Sequence, residues 1–319
     1  MKDEGGGMNR DRGRQMGRLG EEEKRTKPAP GRLRESHRRP VSQSRRSSNH
    51  SSKKRFGQNF LVDNSVVDRI IRAVGPRADE TIVEIGPGRG ALTKRLVEKA
   101  GRLIAVEFDR NLIFDLQARF SQHANFRLVE GDALTTDFCA LVEPVLPLRI
   151  VANLPYNIAT AILQRLIEQR SCVTEMVLML QREVVERITA PAGSSDRGFL
   201  SVLVEAYCET EKLFDVAPTA FRPVPKVWSS VIRLSARSDD SIKSFAENEK
   251  LLWAIVSAGF AHRRKTILNN LRTAPSSLQG IVKDHGGTSF VLCQAEVDLQ
   301  RRAETLTLAD WARIVRVLE

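Results

Sequence analysis

Short apolar runs alternate with amphipathic segments along the chain from Lys53 onward. The apolar runs have the length of buried strands and cover residues 81–85, 103–107, 126–129, 149–152 and 176–180. Helical periodicity of apolar positions covers stretches between them, at residues 91–99, 110–120 and 159–168. Strand, helix and strand in this order predict a parallel sheet with helices on both faces.

The pattern changes in the second half of the chain. Residues 212–216 and 227–234 are strand-like with no helix-length segment between them, which predicts an antiparallel hairpin at the sheet edge. After Ser235 the pattern is helical to the end, with a break at Gly287. We therefore expect an α/β protein: a Rossmann-like, seven-stranded, mostly parallel sheet within residues 53–238, followed by a small all-helical C-terminal domain at 239–319.

Residues 1–52 are rich in Gly, Arg, Ser and Pro and have almost no aliphatic periodicity. Such a segment cannot bury enough apolar surface to offset its conformational entropy, so we expect a disordered basic N-terminal extension. Two interpretations of its role stay open. It is either a polycation that speeds encounter with RNA, or a dispensable extension from a start codon placed too early, since Met8 and Met16 follow.

The formal net charge of +11 is unevenly distributed along the chain. The first 55 residues hold 17 of the 50 basic residues and 7 of the 39 acidic ones, which leaves 33 basic against 32 acidic groups in the other 264 residues. The folded part is therefore not basic as a whole. Any surface there that binds nucleic acid must be local.

The four cysteines are widely spaced and form no C-x-x-C pair: Cys139, Cys172, Cys208 and Cys293. This spacing argues against a zinc site and a disulfide framework, and it fits a reducing cytosol. No stretch approaches the roughly 20 apolar residues of a membrane-spanning helix. The basic N-terminus has no apolar core of a secretory signal, and the acidic residues 21–23 argue against a transit peptide. We expect a cytoplasmic protein without a metal or a membrane partner.

A glycine-rich loop, Glu84-Ile-Gly86-Pro-Gly88-Arg-Gly90, follows the first long apolar strand and precedes a helical segment. Its glycines allow a tight turn and close approach of a ligand to the main chain, but the spacing is not the G-x-G-x-x-G of dinucleotide enzymes. The next strand ends in Glu107, which can accept hydrogen bonds from two ribose hydroxyls, and the third ends at Asp132, which can accept from an adenine amino group. The alternative is that these acids are solvated residues of ordinary strand-end turns.

The fourth strand leads into Asn153-Leu154-Pro155-Tyr156. The N6 amine of adenine is a poor nucleophile because its lone pair is delocalised into the ring. The amide oxygen of Asn153 and the carbonyl of Leu154, held by the following proline, can accept both N–H bonds and direct the lone pair toward a methyl carbon. Tyr156 can stack on the purine. Catalysis would then depend on positioning and electrostatic stabilisation, because a sulfonium is already a good leaving group.

These motifs resemble those of the ribosomal RNA adenine dimethyltransferase family of the KsgA type. The resemblance covers residues 53–319 and includes residues 54–61, 221–227 and 260–266, in the family's order and spacing. It implies a class I methyltransferase fold, with S-adenosyl-L-methionine as cofactor and S-adenosylhomocysteine as product. The cofactor contacts that it implies are Asn59, Leu61, Gly86, Glu107, Asp132 and Asn153. Two positions depart from the common pattern: Asn59, where many members have His, and Arg197-Gly198, where a Tyr-Gly pair is common.

The resemblance also implies a substrate. The family dimethylates, at N6, two adjacent adenines near the 3′ end of small-subunit (16S) rRNA, so we expect an enzyme of ribosome biogenesis whose partner is the pre-30S particle. The sequence leaves the oligomeric state open, and we expect a monomer by default. The nearest alternative is the large-subunit enzyme type that confers macrolide resistance. Two further alternatives are a binding factor that has lost turnover and a small-molecule methyltransferase.

The remaining candidate residues concern the RNA. Phe221, in a loop stiffened by two prolines, is either the second stacking face for the target adenine opposite Tyr156 or a core residue. The cations Arg263, Arg264 and Lys265, which we expect on a helix running to Leu271, either reach RNA phosphates or are merely solvated. Near the start of the first domain, three more cations are predicted to cross the RNA backbone: Lys53, Lys54 and Arg55.

Overall fold

A computed structural model describes residues 58–144, 147–238 and 247–319. The N-terminal extension 1–52 and the predicted RNA contacts Lys53, Lys54 and Arg55 lie outside the described residues. The strands are β1 Phe60–Leu61, β2 Thr81–Ile85, β3 Arg102–Glu107, β4 Phe126–Glu130, β5 Leu148–Asn153, β6 Val173–Gln181, β7 Cys208–Val216, β8 Phe221–Arg222 and β9 Ser229–Ala236.

Seven of these strands form one sheet in the order β4-β3-β2-β5-β6-β9-β7. The first five strands in that order pair in parallel, and β9 pairs antiparallel with both β6 and β7. The seven-stranded, mostly parallel sheet and the antiparallel hairpin at its edge are thereby confirmed. The two remaining strands, β1 and β8, pair with each other antiparallel.

Helices cover the sheet where the periodicity predicted them, with one marked difference in length. They are α1 Asn64–Val74, α2 Thr93–Leu96, α3 Arg110–Phe120, α4 Phe138–Val142, α5 Ala159–Glu168, α6 Arg182–Ile188 and α7 Phe199–Tyr207. The helix predicted over 91–99 is regular only in α2. Arg95 and Lys99 donate their backbone N–H groups to carbonyls three residues back, so the turns around α2 are tighter than an α-helix.

The C-terminal region is helical, as predicted, and its helices are α8 Glu249–Gly259, α9 Ile267–Arg272, α10 Ser276–Asp284, α11 Thr288–Gln294 and α12 Leu308–Leu318. The expected break at Gly287 separates α10 from α11. Trp253 on α8 donates from its indole N–H to the hydroxyl of Tyr207 on α7 at 2.6 Å, so this region packs directly on a helix of the sheet region. The division into two domains at residues 238 and 239 stays a prediction.

The prediction that Arg263, Arg264 and Lys265 lie on a helix is wrong, because the helix begins only after them. Residues 261–265 form a turn, in which Lys265 donates its N–H to the carbonyl of His262 at 3.0 Å. The helix begins after Thr266, whose hydroxyl accepts from the N–H of Asn269 and so caps the first turn. The three cations are therefore presented by a turn and not by a helix face.

A disulfide joins Cys139 to Cys172, contrary to the interpretation of the cysteine spacing. These residues are 33 positions apart in sequence, but their Cα atoms are 5.6 Å apart. The side chain of Gln169 brings the two segments together: it accepts from the N–H of Phe138 at 2.6 Å and donates to the carbonyl of Thr136 at 3.0 Å. Spacing along the chain does not reveal such a contact, because β5 and α5 lie between the two cysteines.

Candidate active site

The carboxyl ends of β2, β3 and β5 lie side by side, because these parallel strands are neighbours in the sheet. Open α/β sheets bind ligands at this edge. A cavity opens there, and its walls come from four regions of the chain. It is lined by Gln58, Asn59, Phe60, Leu61, Glu84, Gly86, Pro87, Gly88, Arg89, Ala91, Leu92, Glu107, Asn153, Leu154, Pro155 and Tyr156.

The glycine loop forms one wall of the cavity. Gly86 has a φ of +62° and a Cβ at this position would meet nothing within 4 Å, so the space beside it is open. Gly90 has a φ of +75°, and a Cβ there would lie 2.7 Å from the ring of Phe120. Glycine is required at both positions by the left-handed backbone, and at Gly90 also by packing. The predicted approach of a ligand to bare main chain is therefore possible at Gly86.

Glu107 is buried and held by three backbone donors. One carboxylate oxygen accepts from the N–H groups of Phe108 at 3.0 Å and Asp109 at 2.9 Å, and the other from Gly88 at 3.1 Å. Burial raises the pKa of this carboxyl, while the N–H groups act in the opposite direction. The side chain is thus fixed at the cavity wall with lone pairs available for further donors, as hydroxyl binding requires.

Glu84, which the sequence interpretation used only to identify the glycine loop, is a second buried acid beside Glu107. Its carboxyl accepts a hydrogen bond from the hydroxyl of Thr93 at 2.7 Å. Burial raises its pKa to about 8, and the negative charge of Glu107 adds to this effect. Glu84 therefore carries a proton over much of the neutral pH range.

Asn153, the last residue of β5, has its amide orientation fixed by the N-terminal segment. Its Nδ2 donates to the backbone carbonyl of Asn59 at 3.2 Å. The amide oxygen is consequently the end of Asn153 that is left to accept from a ligand. The next residue, Leu154, donates its backbone N–H to the carbonyl of Met179 at 3.2 Å. Tyr156, the last residue of the motif, is half-buried.

The segment Gln58–Leu61 reaches the cavity because β1 pairs with β8. Phe60 lies opposite Arg222 and Leu61 opposite Phe221 in this two-stranded pairing. The guanidinium carbon of Arg89 lies 4.6 Å from the centre of the Phe60 ring, which joins the segment to the glycine loop. Two residues that are far from the loop in sequence, Asn59 and Leu61, are in this way brought to the same cavity as Gly86 and Glu107.

Comparison with known proteins decides the family. Residues 49–313 match the model of the family described as ribosomal RNA adenine dimethylase. The chain belongs to this family. It is therefore an S-adenosylmethionine-dependent rRNA adenine methyltransferase, and the resemblance stated from its motifs is confirmed.

Individual relatives of this methyltransferase cover most of its length. It is 42% identical over 265 residues, 83% of the chain and 92% of the relative, to the ribosomal RNA small subunit methyltransferase A of Hahella chejuensis. A dimethyladenosine transferase from Plasmodium falciparum has the same fold, with a TM-score of 0.68 at 24% identity over 81% of this chain and 96% of the other. The 23S rRNA methyltransferase ErmE gives a TM-score of 0.57 at 26% identity over 82% of this chain and 99% of ErmE.

Five of the six cofactor residues predicted for this methyltransferase line the cavity, and Asp132 is not among the lining residues. The side chain of Asp132 accepts from the N–H of Leu134 at 2.9 Å in the loop after β4.

Phe108, which the sequence interpretation passed over, follows Glu107 directly and is 58% exposed. The position of an aromatic residue directly after a strand-end acid can be read from the sequence, whereas its exposure, which suits a ring for stacking on a base, is shown only by the structure.

Phe221 is fully buried in this structure. It belongs to an apolar cluster with Leu61, Val216, Ala220 and Val231 and does not line the cavity, in agreement with the core interpretation of its loop. A stacking role requires that its ring become accessible when a base enters, and that role stays a prediction. Tyr156, the other proposed stacking residue, does line the cavity.

The cations of the methyltransferase's basic turn differ from one another. All three are exposed, but the guanidinium of Arg263 donates to the carbonyl of Ser195. Among the described residues, no group of three or more His, Cys, Asp or Glu side chains is arranged to hold a metal ion. Within the same residues, no helix is both long enough and apolar enough to cross a membrane.

Proposed function

We propose that this methyltransferase dimethylates, at N6, two adjacent adenines near the 3′ end of small-subunit rRNA. The observation that carries the proposal is the orientation of Asn153, whose amide nitrogen is bonded to Asn59 and whose oxygen is left as an acceptor at the cavity. An acceptor of this kind, followed by a proline-held carbonyl and an aromatic ring, suits an exocyclic amine on a flat base.

The cavity fits S-adenosylmethionine as the cofactor. The open space beside Gly86 admits a ligand against the main chain, and the fixed carboxylate of Glu107 suits a pair of ribose hydroxyls. Asn59 and Leu61 would complete the wall on the side of β1. When bound, this cofactor supplies a methyl group on a positively charged sulfur. Asp132 is proposed as the contact to its adenine amino group, reached beyond the walls of the cavity.

On the substrate side, the residues of the chain position the amine. The oxygen of Asn153 and the carbonyl of Leu154 accept the two N–H bonds of N6, so the nitrogen lone pair is turned out of conjugation. These acceptors also stabilise the positive charge that grows on nitrogen during transfer. Tyr156 holds the base by stacking, and Phe221 is proposed as the opposite face. Positioning of this kind accounts for much of the rate enhancement available without a strong base.

The choice of the small subunit rests on the relatives. Those at 40–42% identity are named as small-subunit enzymes, while ErmE, named for 23S rRNA, is 26% identical. The large-subunit RNA is therefore the alternative substrate to be tested. We further propose a cytoplasmic, monomeric enzyme that acts on a pre-30S particle, and a helical C-terminal region that assists RNA binding through its basic turn.

The test is methyl transfer from labelled S-adenosylmethionine to small subunits that lack the modification, with the product nucleotides mapped. Naked small-subunit RNA, large-subunit RNA and an Asn153→Ala enzyme run beside it. Dimethyladenine at two adjacent positions near the 3′ end of the small-subunit RNA, absent with the variant, is the expected result. Transfer to the large-subunit RNA alone would overturn the substrate. Cofactor binding without transfer to any of these RNAs would overturn the proposed activity on them.

A further inference from the structure

Ser229 is placed at the catalytic edge of the sheet by the reversed direction of its strand. It is the first residue of β9, which runs antiparallel to β6, and it lies opposite Gln181 at the carboxyl end of β6. The amino end of β9 therefore meets the carboxyl ends of the parallel strands. Ser229 is fully buried, and it is not among the residues that line the cavity.

The hydroxyl of Ser229 lies 2.7 Å from the phenol oxygen of Tyr156. This hydrogen bond is made across 73 positions of sequence and joins β9 to the segment after β5. A tyrosine ring that is anchored only at its Cβ can rotate about two side-chain bonds. Fixing the phenol oxygen restricts rotation about the Cα–Cβ bond. Because the phenol hydroxyl prefers to make its hydrogen bond in the plane of the ring, the contact also disfavours rotation about the Cβ–Cγ bond, so the ring is positioned before any base arrives.

The neighbouring Ser230 provides an internal comparison. It is also fully buried, but successive residues of a strand point to opposite faces, and its hydroxyl donates to the carboxylate of Asp215 at 2.5 Å. Both serines satisfy a buried hydroxyl, as the interior of a protein requires. Ser229 differs in that its partner is a residue of the cavity wall.

We propose that Ser229 is a positioning residue for the target base, because its hydroxyl holds the ring of Tyr156 in the orientation that stacks on adenine. The inference rests on the proposed function and extends it by a residue that contacts neither cofactor nor substrate. Ser229 acts through Tyr156 alone. Substitution of Ser229 should therefore have no further effect on the kinetics once Tyr156→Phe has removed the phenol hydroxyl.

The kinetic test compares Ser229→Ala, Tyr156→Phe and the double variant. Loss of one hydrogen bond between neutral groups predicts a fall in kcat/KM for the RNA of about three- to tenfold in each single variant. The double variant is expected to match the single ones, since both remove the same contact. The dissociation constant of S-adenosylmethionine stays unchanged, and Ser230→Ala leaves the RNA kinetics unchanged. Additive losses, or wild-type kinetics in Ser229→Ala, would overturn the proposal.

A spectroscopic test does not depend on turnover. The chain has two tyrosines, Tyr156 and Tyr207, so fluorotyrosine labelling gives two ¹⁹F resonances, assigned with Tyr156→Phe. Ser229→Ala should shift and broaden the Tyr156 resonance and leave that of Tyr207 in place, while Ser230→Ala should move neither. If the wild-type enzyme is active and the Tyr156 resonance does not move in Ser229→Ala, the inference is overturned. A wild-type protein that methylates no RNA would instead overturn the proposed function, and the positioning role with it.

Discussion

The amide nitrogen of Asn153 donates to the backbone carbonyl of Asn59, 94 positions earlier in the chain. An amide has one oxygen and one nitrogen, so a bond to the nitrogen decides which end faces a ligand. The partner is a backbone atom and persists whatever side chain stands at position 59.

We expect Asn153→Ala to lower kcat by about 100-fold or more, because one of the two acceptors for the charge growing on nitrogen is lost. Single-turnover methylation of the small subunit measures this effect. The matched control is Asn157→Ala, since Asn157 is exposed, directly follows the same motif and does not line the cavity. An unchanged kcat in Asn153→Ala would contradict the role assigned to its oxygen.

Glu84 should make the free energy of unfolding depend on pH. Its pKa is raised to about 8 in the folded protein, from 4.5 in the unfolded chain, so the folded state binds the proton more tightly. Stability from this group is complete below pH 4.5 and is lost as the pH rises through 8, with a slope of up to about 1.4 kcal/mol per pH unit between these values. Urea unfolding of the wild type and Glu84→Gln at several pH values between 5 and 8 tests this, since the variant should lack the decline. Parallel curves for the two proteins would refute it.

Gly86→Ala should weaken cofactor binding by about tenfold, which corresponds to roughly 1.4 kcal/mol. The new methyl group would enter the open space of the cavity, and the left-handed backbone would be strained. Gly193→Ala is the control, because Gly193 also has a positive φ and open space around it but lies in an exposed loop away from the cavity. Calorimetric titration with S-adenosylhomocysteine should show weaker binding in Gly86→Ala alone. Equal losses in both variants would attribute the effect to backbone strain.

The basic turn should contribute to RNA affinity through two of its three cations. Arg264→Gln and Lys265→Gln should each reduce the salt dependence of RNA binding by about one unit in the slope of log K against log salt. Arg263→Gln should change it less, because its guanidinium is engaged with the carbonyl of Ser195. Filter binding over a range of salt concentrations distinguishes the variants, with Arg77→Gln as an exposed control whose side chain pairs with Asp79. Identical slopes in all variants would exclude phosphate contacts at this turn.

The disulfide gives a further prediction. In a chain-entropy estimate, a bond that closes a segment of this length stabilises the fold by about 3–4 kcal/mol. Cys139→Ser should therefore lower Tm, and a reducing agent should lower Tm in the wild type but not in the variant. Cys293→Ser, at an exposed free cysteine, serves as the control. A wild-type Tm that is insensitive to reduction would show that the bond does not contribute to stability.

The sequence predicted the sheet because its buried strands are apolar runs, and it predicted the edge strand least completely. β7 begins at Cys208, but the strand was predicted only from residue 212. The residues Glu209, Thr210 and Glu211 are polar and exposed, so they show no apolar strand pattern. Polar residues at strand ends, such as Glu107 and Asn153, were readable because topology brings such ends together. Pairs that meet through tertiary folding were not readable.

Three such pairs were missed in the sequence: the contact of Asn59 with Asn153, that of Ser229 with Tyr156, and the disulfide. Each joins segments separated by intervening elements of the sheet. The burial of Phe221 was left open for a similar reason. Its loop pairs with β1, and a short two-residue strand leaves no periodic pattern in the sequence.

The insertion of β9 between β6 and β7 has a consequence for the order in which the protein can be completed during synthesis. Among the described strands, β7 is bonded only to β9, although β9 emerges from the ribosome after it. Until β9, which ends at Ala236, has emerged, β7 lacks its partner strand and the edge of β6 lacks its neighbour in the sheet. The hydrogen bond between Tyr156 and Ser229 cannot form before that point either. A nascent chain cut off before β9 would hold the glycine loop and the Asn153 motif, yet lack the strand that anchors the tyrosine of its active site.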